Sequence, residues 1–453
     1  MKPLCIGVLL AAVAVSPGVS WRAPGVEARQ AADSQTTFAI GGGERLPAEF
    51  GKFTVAAVRR DPTSPLITLR YVRFRSTATQ PKTPIVFLAG GPGDAATRAF
   101  QVMPSTVLNS LRAIADVIAF DQRGTGTSGP GNAICPPGAM LRLDAPLDPA
   151  AYTASIRERL TACLPKLEAA GIRIGGFTTE ESADDIEALR SAIGARQVTL
   201  LAGSYGTHLA LATARRHPAS ISAMALLGVE GPDDTLKLPA RVDAVLAEID
   251  NAKPGLVHLL RTHIERLTDK AWTKTLPNGQ AVTVGAWDLK RRVADALGTV
   301  AEIDPLPTAL AQMANGDYSD LVRWTIPFRA GRPLNVMNLA MDCASYGSPG
   351  RLAAIEAEAT TALVGDAINV PLPDVCDTPG LPRLPEAFRA PISSTIPTLF
   401  VSGTFDGRTP PANAESLAKR FATAELLVIP GASHSLFREP DAMASVLRFL
   451  GKQ

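Results

Sequence analysis

The stretch LLAGSYGTHLA, residues 200–210, joins an apolar run to a helix-like run through a serine. Ser204 stands between Gly203 and Gly206, and such small neighbours relieve crowding at a sharp turn from a strand into a helix. The usual pattern at this turn is G-x-S-x-G, whose serine is a nucleophile exposed above a sheet. Here the first position is Ala202, so the interpretation depends on the rest of the chain.

Three other apolar runs end in glycine or polar residues, as the run before Ser204 does. They are TPIVFLAGGPG (83–93), DVIAFDQRGTG (116–126) and SAMALLGVEGP (222–232). Continuous apolar runs are typical of parallel strands buried on both faces, and helical patterns alternate with them here. The sequence therefore predicts a doubly wound, mostly parallel α/β sheet, whose ligand-facing loops lie at the carboxyl ends of the strands.

The domain organisation follows from where this alternation starts, stops and resumes. Residues 36–234 form the first part of the core and begin with two or three strand patterns. One of these, LITLRYVRFRS (66–76), alternates as a half-exposed antiparallel strand does. Residues 235–390 carry amphipathic helices and Pro-rich connections, which we interpret as a helical cap inserted over the sheet. Residues 391–453 resume the strand-then-loop pattern and complete the core.

Two loops late in the chain supply the partners that a serine nucleophile needs. A serine hydroxyl requires a base within hydrogen-bond reach, usually a histidine held by a carboxylate. His434 follows a predicted strand in PGASHS, and Asp406 follows the strand before it in GTFDGRTPP. The order Ser204, Asp406, His434 is that of an α/β hydrolase and differs from the orders of chymotrypsin and subtilisin. We predict that these three side chains form a catalytic triad.

The segment LAGGPGD, residues 88–94, supplies a candidate oxyanion hole, which is the set of donors that stabilises the charged intermediate of acyl transfer. It follows the first buried strand, so its backbone N–H groups can turn toward the serine. We assign the hole to the N–H groups of Gly91 and Tyr205. The alternative interpretation is a simple glycine turn.

These motifs together resemble the prolyl aminopeptidase and tripeptidyl aminopeptidase branch of the α/β hydrolases. The resemblance is carried by GGPG, DQRGTGTS, G-S-Y-G, the late Asp and His loops, and the helix pattern TTEESADDIEALRSAIG before the elbow strand. It covers residues 80–235 and 395–450. It implies a nucleophile at Ser204, triad partners at Asp406 and His434, and oxyanion donors at Gly91 and Tyr205.

The chain departs from that family at two positions and leaves the substrate open. Ala89 replaces the histidine that usually precedes GGPG, and Ala202 replaces the first glycine of the elbow. An aminopeptidase must also bind a free α-amino group, and Glu230 at the end of a core strand is our candidate. A structural carboxylate bonded to its own loop is the other interpretation of Glu230.

Three functions fit these observations. The first is an aminopeptidase that releases residues from peptide N-termini through an acyl-enzyme on Ser204. The second is an esterase or lactonase on small acyl substrates, because the same triad serves both kinds of bond. The third is a binding protein that kept the fold and lost catalysis. The formal net charge of +2 gives no electrostatic footprint for nucleic acid.

The N-terminus has the pattern of a secretory signal peptide. Lys2 is followed by the apolar run IGVLLAAVAV and by small residues. We predict that residues 1–28 are such a signal, cleaved after Ser20 or Ala28, and that the protein is secreted or periplasmic. No stretch is long enough to predict stable membrane insertion, and the oligomeric state stays open.

The cysteines agree with export. Cys5 lies in the predicted signal, and the other four are an even number, which favours disulfides in an oxidising compartment. Of the three possible pairings we predict Cys135–Cys163 and Cys343–Cys376, because each pair falls inside one segment between core elements. Four buried free thiols are the alternative. Metal-ligand spacing is absent, and we predict no metal or cofactor.

Overall fold

A central sheet carries the core of the protein, and the computed structural model describes residues 36–131 and 133–453. The predicted signal peptide, residues 1–28, and both predicted cleavage sites lie outside the described residues. The strands, in chain order, are β1 (Thr36–Ala39), β2 (Arg45–Ala56), β3 (Leu66–Phe74), β4 (Lys82–Leu88), β5 (Ala115–Asp121), β6 (Ile134–Cys135), β7 (Val198–Gly203), β8 (Ile221–Leu227), β9 (Trp272–Thr275), β10 (Ala281–Val284), β11 (Leu334–Asn335), β12 (Thr398–Gly403) and β13 (Ala424–Ile429).

Helices connect most of these strands. In chain order they are α1 (Ala96–Val102), α2 (Ser105–Arg112), α3 (Pro149–Ala169), α4 (Thr179–Ala192), α5 (Tyr205–Arg216), α6 (Pro239–Ala252), α7 (Leu256–Asp269), α8 (Ala286–Ala296), α9 (Val300–Ile303), α10 (Leu306–Ala314), α11 (Ser319–Arg329), α12 (Val336–Ser345), α13 (Pro349–Ala359), α14 (Pro411–Ala418) and α15 (Pro440–Lys452). The helices α6 to α13 all fall between β8 and β12, where the sequence predicts the cap.

Nine of the described strands form one sheet in the order β1-β2-β3-β5-β4-β7-β8-β12-β13. From β5 to β13 the neighbouring strands run parallel, and β1, β2 and β3 join antiparallel at one edge. Strand β3 alternates between buried and more exposed residues, as its sequence predicts. The prediction of a mostly parallel α/β sheet is confirmed.

Apolar side chains cover both faces of the sheet, which explains why the parallel strands read as unbroken apolar runs. In β4, Val86 and Leu88 belong to a cluster with residues of α4 and α5. Ile85 and Phe87, which alternate with them, belong to a second cluster with residues of α1, α2 and α15. The sheet is therefore wound with helices on both sides, and its carboxyl edge is left for loops.

The segment between β8 and β12 has a hydrophobic core of its own, to which α6, α7, α8, α10 and α11 contribute. A fully buried ion pair lies beside it, with Arg329 Nη2 at 2.6 Å from Asp288 Oδ1. Arg329 also donates to the backbone carbonyls of Arg142 and Ala145, which belong to an earlier part of the chain. The insertion is not wholly helical, because β9 and β10 form an antiparallel hairpin within it.

Residues between β5 and α4 also pack with the insertion, which the predicted boundary at residue 234 does not anticipate. Strand β6 pairs antiparallel with β11 of the insertion. A disulfide joins Cys135 of β6 to Cys163 of α3, and a second joins Cys343 of α12 to Cys376. The structure thus pairs the cysteines as the sequence predicts. Each disulfide joins a helix, α3 or α12, to another segment of the chain.

The backbone of helix α5 packs closely against the backbone at the end of β4 because Gly206 has no side chain. A Cβ atom placed on Gly206 would lie 2.2 Å from the carbonyl oxygen of Leu88 and 2.9 Å from that of Ala89. Leu88 ends a strand that is paired on both sides, so its backbone cannot move away without disturbing the sheet. The close approach places the first turn of α5 directly beside the loop that follows β4.

We predict that Gly206→Ala lowers the free energy of unfolding by about 3 kcal/mol or more, because the added methyl overlaps backbone atoms. Gly350→Ala is the matched control: Gly350 lies in α13 with open space around its Cα. There the same change stabilises the helix by about 0.5–1 kcal/mol. Urea denaturation of the two variants measures both effects, and equal stabilities would contradict the close packing of α5.

Candidate active site

Ser204 stands at the turn between β7 and α5 with φ 54° and ψ −131°. Such a backbone costs about 1–3 kcal/mol for a residue with a side chain and persists only where its surroundings hold it. The Ser204 N–H donates to the carbonyl of Leu227 in β8 at 3.0 Å. A Cβ on the preceding Gly203 would lie 2.6 Å from the ring of Phe437. Strand pairing and packing therefore hold the elbow on both sides.

His434 and Asp406 form a hydrogen-bonded pair on the loops that follow β13 and β12. His434 Nδ1 lies 2.8 Å from Asp406 Oδ2, and the Asp406 side chain is fully buried. The carboxylate also accepts hydrogen bonds from the N–H of Arg408 at 2.9 Å and from the N–H and hydroxyl of Thr409 at 2.8 and 2.7 Å. Because Nδ1 faces Asp406, Nε2 is the nitrogen left to act on another group.

One cavity of about 330 Å³ brings several predicted site residues together. Ser204, His434 and Gly91 all line it. The rest of its wall is mainly apolar, with Phe87, Ala99, Val102, Leu436 and Phe437. A larger cavity of about 630 Å³ lies between α14 and the insertion, and neither Ser204, His434 nor Asp406 lines it. The smaller cavity is the candidate active site.

The two predicted oxyanion donors lie on the chain segments that flank Ser204. Gly90 packs against the serine, since a Cβ at Gly90 would lie 2.9 Å from Ser204 Cβ. Gly91 follows it and lines the cavity, and in the described chain its N–H donates to no acceptor. Tyr205 is the first residue of α5, so its N–H has no intrahelical acceptor. Neither N–H group therefore has an acceptor among the described residues.

The D-Q-R-G-T-G segment at the end of β5 holds the glycine loop, LAGGPGD (88–94), in place through hydrogen bonds. Asp121 is fully buried, and its carboxylate accepts hydrogen bonds from the N–H and hydroxyl groups of both Thr97 and Thr127 at 2.9–3.2 Å. Gln122 Nε2 donates to the carbonyl of Ala89 at 3.0 Å. The loop therefore fixes the start of α1 and the segment that precedes Gly90.

A buried chain of hydrogen bonds runs from the elbow to the insertion. His208 Nδ1 lies 2.9 Å from the carbonyl of Gly231, so Nδ1 carries the proton and Nε2 accepts one from Ser345 Oγ at 3.1 Å. Thr179 Oγ1 lies 3.1 Å from Ser345 Oγ and therefore donates to it. The Tyr205 hydroxyl, 3.0 Å away, completes the chain at Thr179. Tyr205, whose N–H is a predicted oxyanion donor, is thus anchored through its side chain.

The string S-Y-G occurs twice in the chain, and the structure separates the two serines. Ser204 opens on the cavity that also contains His434. Ser345, in A-S-Y-G, is buried, and its hydroxyl is engaged by His208 and Thr179. The surroundings, and not the string, distinguish the candidate nucleophile.

Glu230 is buried just beyond β8, and its carboxylate is already paired. Lys237 Nζ lies 3.0 Å from Glu230 Oε2, and the Thr235 hydroxyl donates to Oε1 at 3.4 Å. The Glu230 N–H donates to Thr207 Oγ1 at 2.8 Å. Glu230 does not line the cavity that contains Ser204. This geometry favours the structural interpretation of Glu230, because a substrate ammonium would have to displace Lys237.

The described ranges 36–131 and 133–453 hold no group of three or more His, Cys, Asp or Glu side chains arranged to bind a metal ion. Within the same ranges, no helix has the length and apolar character needed to cross a bilayer.

The family model described as the alpha/beta hydrolase fold matches residues 83–441. The chain belongs to the α/β hydrolases. The match begins in β4 and ends at the start of α15, so it includes the elbow, the Asp406 loop and the His434 loop.

Three named proteins are among those similar to this α/β hydrolase. One is YuaR of Escherichia coli (strain K12), whose name classes it with the hydrolases, at 26% identity over 83% of this chain and 78% of YuaR. Another is the tripeptidyl aminopeptidase of Streptomyces lividans, at 27% over 44% of this chain and 39% of that enzyme. The third is the serine protease Hip1 of Mycobacterium tuberculosis (strain H37Rv), at 29% over 45% and 38%. The aligned part spans less than half the length of the two peptidases.

Two further residues shape the site, and their roles are not predicted from the sequence. Thr409 bonds to both Asp406 and His434, and its position three residues after an aspartate is a local turn signal that could have shown it. Asn338 of α12 donates to the carbonyl of Pro92 in the glycine loop. These two residues are 246 positions apart, so no local pattern marks the contact.

We expect the free energy of unfolding to decrease as the pH is lowered, because His208 binds a proton more readily in the unfolded chain. Burial lowers the pKa of this imidazole below its ordinary value of 6.5. The unfolded chain binds a proton there below about pH 6.5 that the folded chain does not, so the contribution is complete above that pH and is lost as pH falls. We predict that His208→Asn reduces the decline in unfolding free energy between about pH 7.5 and 5.5 by up to about 1.4 kcal/mol per pH unit.

The control is His258→Asn, which changes an exposed histidine on α7. Urea denaturation at a series of pH values gives the slope for wild type and both variants. If the two variants lose stability with pH as steeply as the wild type, the buried neutral imidazole does not account for the decline.

Proposed function

We propose that this chain is a serine hydrolase that releases residues from the N-termini of peptides through an acyl-enzyme on Ser204. The observation that carries the proposal is the geometry of one cavity. Ser204, on a left-handed elbow, and His434, paired with buried Asp406, both line it. These are the groups that nucleophilic acyl transfer requires.

Acylation uses the free nitrogen of the histidine. Ser204 Oγ attacks the carbonyl carbon of the scissile bond while His434 Nε2 accepts its proton. Asp406, 2.8 Å from Nδ1, holds the ring in the required tautomer and stabilises the imidazolium that forms. The imidazolium then gives its proton to the departing amine, and the C–N bond breaks to leave an ester on Ser204.

The developing oxyanion is bound by the N–H groups of Gly91 and Tyr205. Removal of one such donor costs about 2.7–4 kcal/mol of transition-state stabilisation in other serine hydrolases. The N-terminal end of α5 adds the positive end of its dipole at the same place. Anchoring of the Tyr205 side chain at Thr179 keeps this donor in place.

Deacylation repeats the same steps with water as the nucleophile. His434 removes a proton from a water molecule, the hydroxide attacks the acyl carbon, and the Ser204 oxygen leaves with that proton. The products are the free acid and the regenerated serine. No group beyond the substrate and water is consumed.

Peptides are the substrate class that we favour, because two of the similar proteins are named as peptidases. A tripeptidyl aminopeptidase and a serine protease align with about half of this chain. An esterase on small acyl substrates uses the same triad, and a panel of amides and esters decides between them. A non-catalytic binding protein is the third outcome that such a panel can show.

We also propose that the protein works in the periplasm or outside the cell. Two disulfides, Cys135–Cys163 and Cys343–Cys376, support this location because such bonds persist in oxidising compartments. The signal-like pattern at residues 1–28 supports it from the sequence.

Ser204→Ala is expected to lower kcat on aminoacyl amides and acyl esters by about 10⁴-fold or more, because the triad acts as a unit. The measurement is steady-state hydrolysis of chromogenic substrates, with unfolding free energy checked in parallel. Ser110→Ala, on α2 and outside the cavity, is the matched serine control and should retain wild-type rates. Undiminished turnover by a folded Ser204→Ala protein would remove this residue from the mechanism.

A further inference from the structure

Two charged side chains, Asp94 and Arg98, line the cavity that contains Ser204. Among the described residues of its wall, Asp94 is the one carboxylate and Arg98 the one guanidinium. The mechanism of acyl transfer uses neither of them. Charged groups at the mouth of an otherwise apolar cavity are the groups that orient and select a substrate.

Asp94 lies within one turn of the residue that touches the nucleophile. Its N–H donates to the carbonyl of Gly90 at 3.2 Å, which closes the turn of the glycine loop. A Cβ on Gly90 would lie only 2.9 Å from Ser204 Cβ. The Asp94 carboxylate therefore extends from the edge of the loop that carries the predicted oxyanion donor.

Neither side chain is neutralised by the protein. In the part of the chain that the structure describes, Asp94 and Arg98 make no side-chain hydrogen bond or ion pair. Two acids beyond the end of β8, by contrast, are ion-paired within the protein. Glu230 is paired with Lys237 at 3.0 Å, and Asp234 with Arg351 at 2.8 Å. Among the described residues that line the cavity, the negative charge available to a cationic substrate group is that of Asp94.

Beside these charges the cavity wall is apolar. Val102, on the same helix as Arg98, is 68% exposed, which is unusual for a large aliphatic side chain, and Phe437 lines the cavity with it. A substrate side chain that covers Val102 removes apolar surface from water. The cavity therefore combines an apolar surface with a nearby carboxylate.

We propose that Asp94 binds the α-ammonium group of peptide substrates and that the adjoining apolar wall receives their first side chain. The substrate class is then peptides with a free N-terminus and an apolar first residue. This inference rests on the proposed acyl-transfer function and names its specificity. Arg98, one helical turn further on, carries a charge that opposes the same ammonium.

The test compares leucine p-nitroanilide with its N-acetyl derivative, and p-nitrophenyl butyrate serves as a neutral ester. The wild type prefers the free amine by about fivefold in kcat/KM, the upper end for a pair of solvent-exposed charges. Asp94→Asn brings this ratio close to one, and Asp94→Glu restores most of it. Arg98→Gln moves the ratio the other way and increases it.

Asp269→Asn is the matched control, because it removes one exposed carboxylate at the end of α7, far along the chain from the cavity wall. It should leave the ratio as in the wild type. A ratio near one in the wild type, or a high ratio that survives Asp94→Asn, overturns the inference while ester hydrolysis still supports the serine hydrolase. Absence of hydrolysis of all three substrates overturns the proposed function itself.

Discussion

The elbow at Ser204 has a left-handed backbone that the surrounding elements hold in place. A conformation of this kind costs about 1–3 kcal/mol and must be held by its neighbours. Here Ser204 follows β7, and its N–H donates a hydrogen bond to the carbonyl of Leu227 in β8. Helix α5 starts beside Leu88 because Gly206 has no side chain. These contacts keep Ser204 at the cavity that also contains His434.

Charge pairing then decides which groups face a substrate. Asp406 is buried and satisfied by His434 and Thr409, so its charge acts through the imidazole. Glu230 is neutralised by Lys237, although its position at the end of a core strand made it the candidate anchor. Asp94 has no such partner and lines the cavity. The distinction between a structural acid and a binding acid thus depends on neighbours and not on the distance from a strand end.

The sequence predicts the features that are encoded locally. A strand, a small-residue turn and a helix around Ser204, with the Asp and His loops in their order, define the sheet and bring the triad candidates to one edge. The sequence does not predict contacts between distant segments. Three such contacts depend on how the insertion folds back over the core. They are the ion pair of Lys237 with Glu230, the hydrogen bond from Asn338 to Pro92, and the pairing of β6 with β11. A local sequence pattern does not show how the insertion folds back, so its contacts with the core are the least predictable part of the structure.

Mapping the site of a covalent adduct tests whether Ser204 is the nucleophile. The folded protein is treated with a fluorophosphonate, digested, and analysed by tandem mass spectrometry. We expect one adduct, on Ser204, and none on the buried Ser345 of the second S-Y-G string. An adduct on a different residue, or hydrolysis of substrate by a protein that takes up no label, would contradict it.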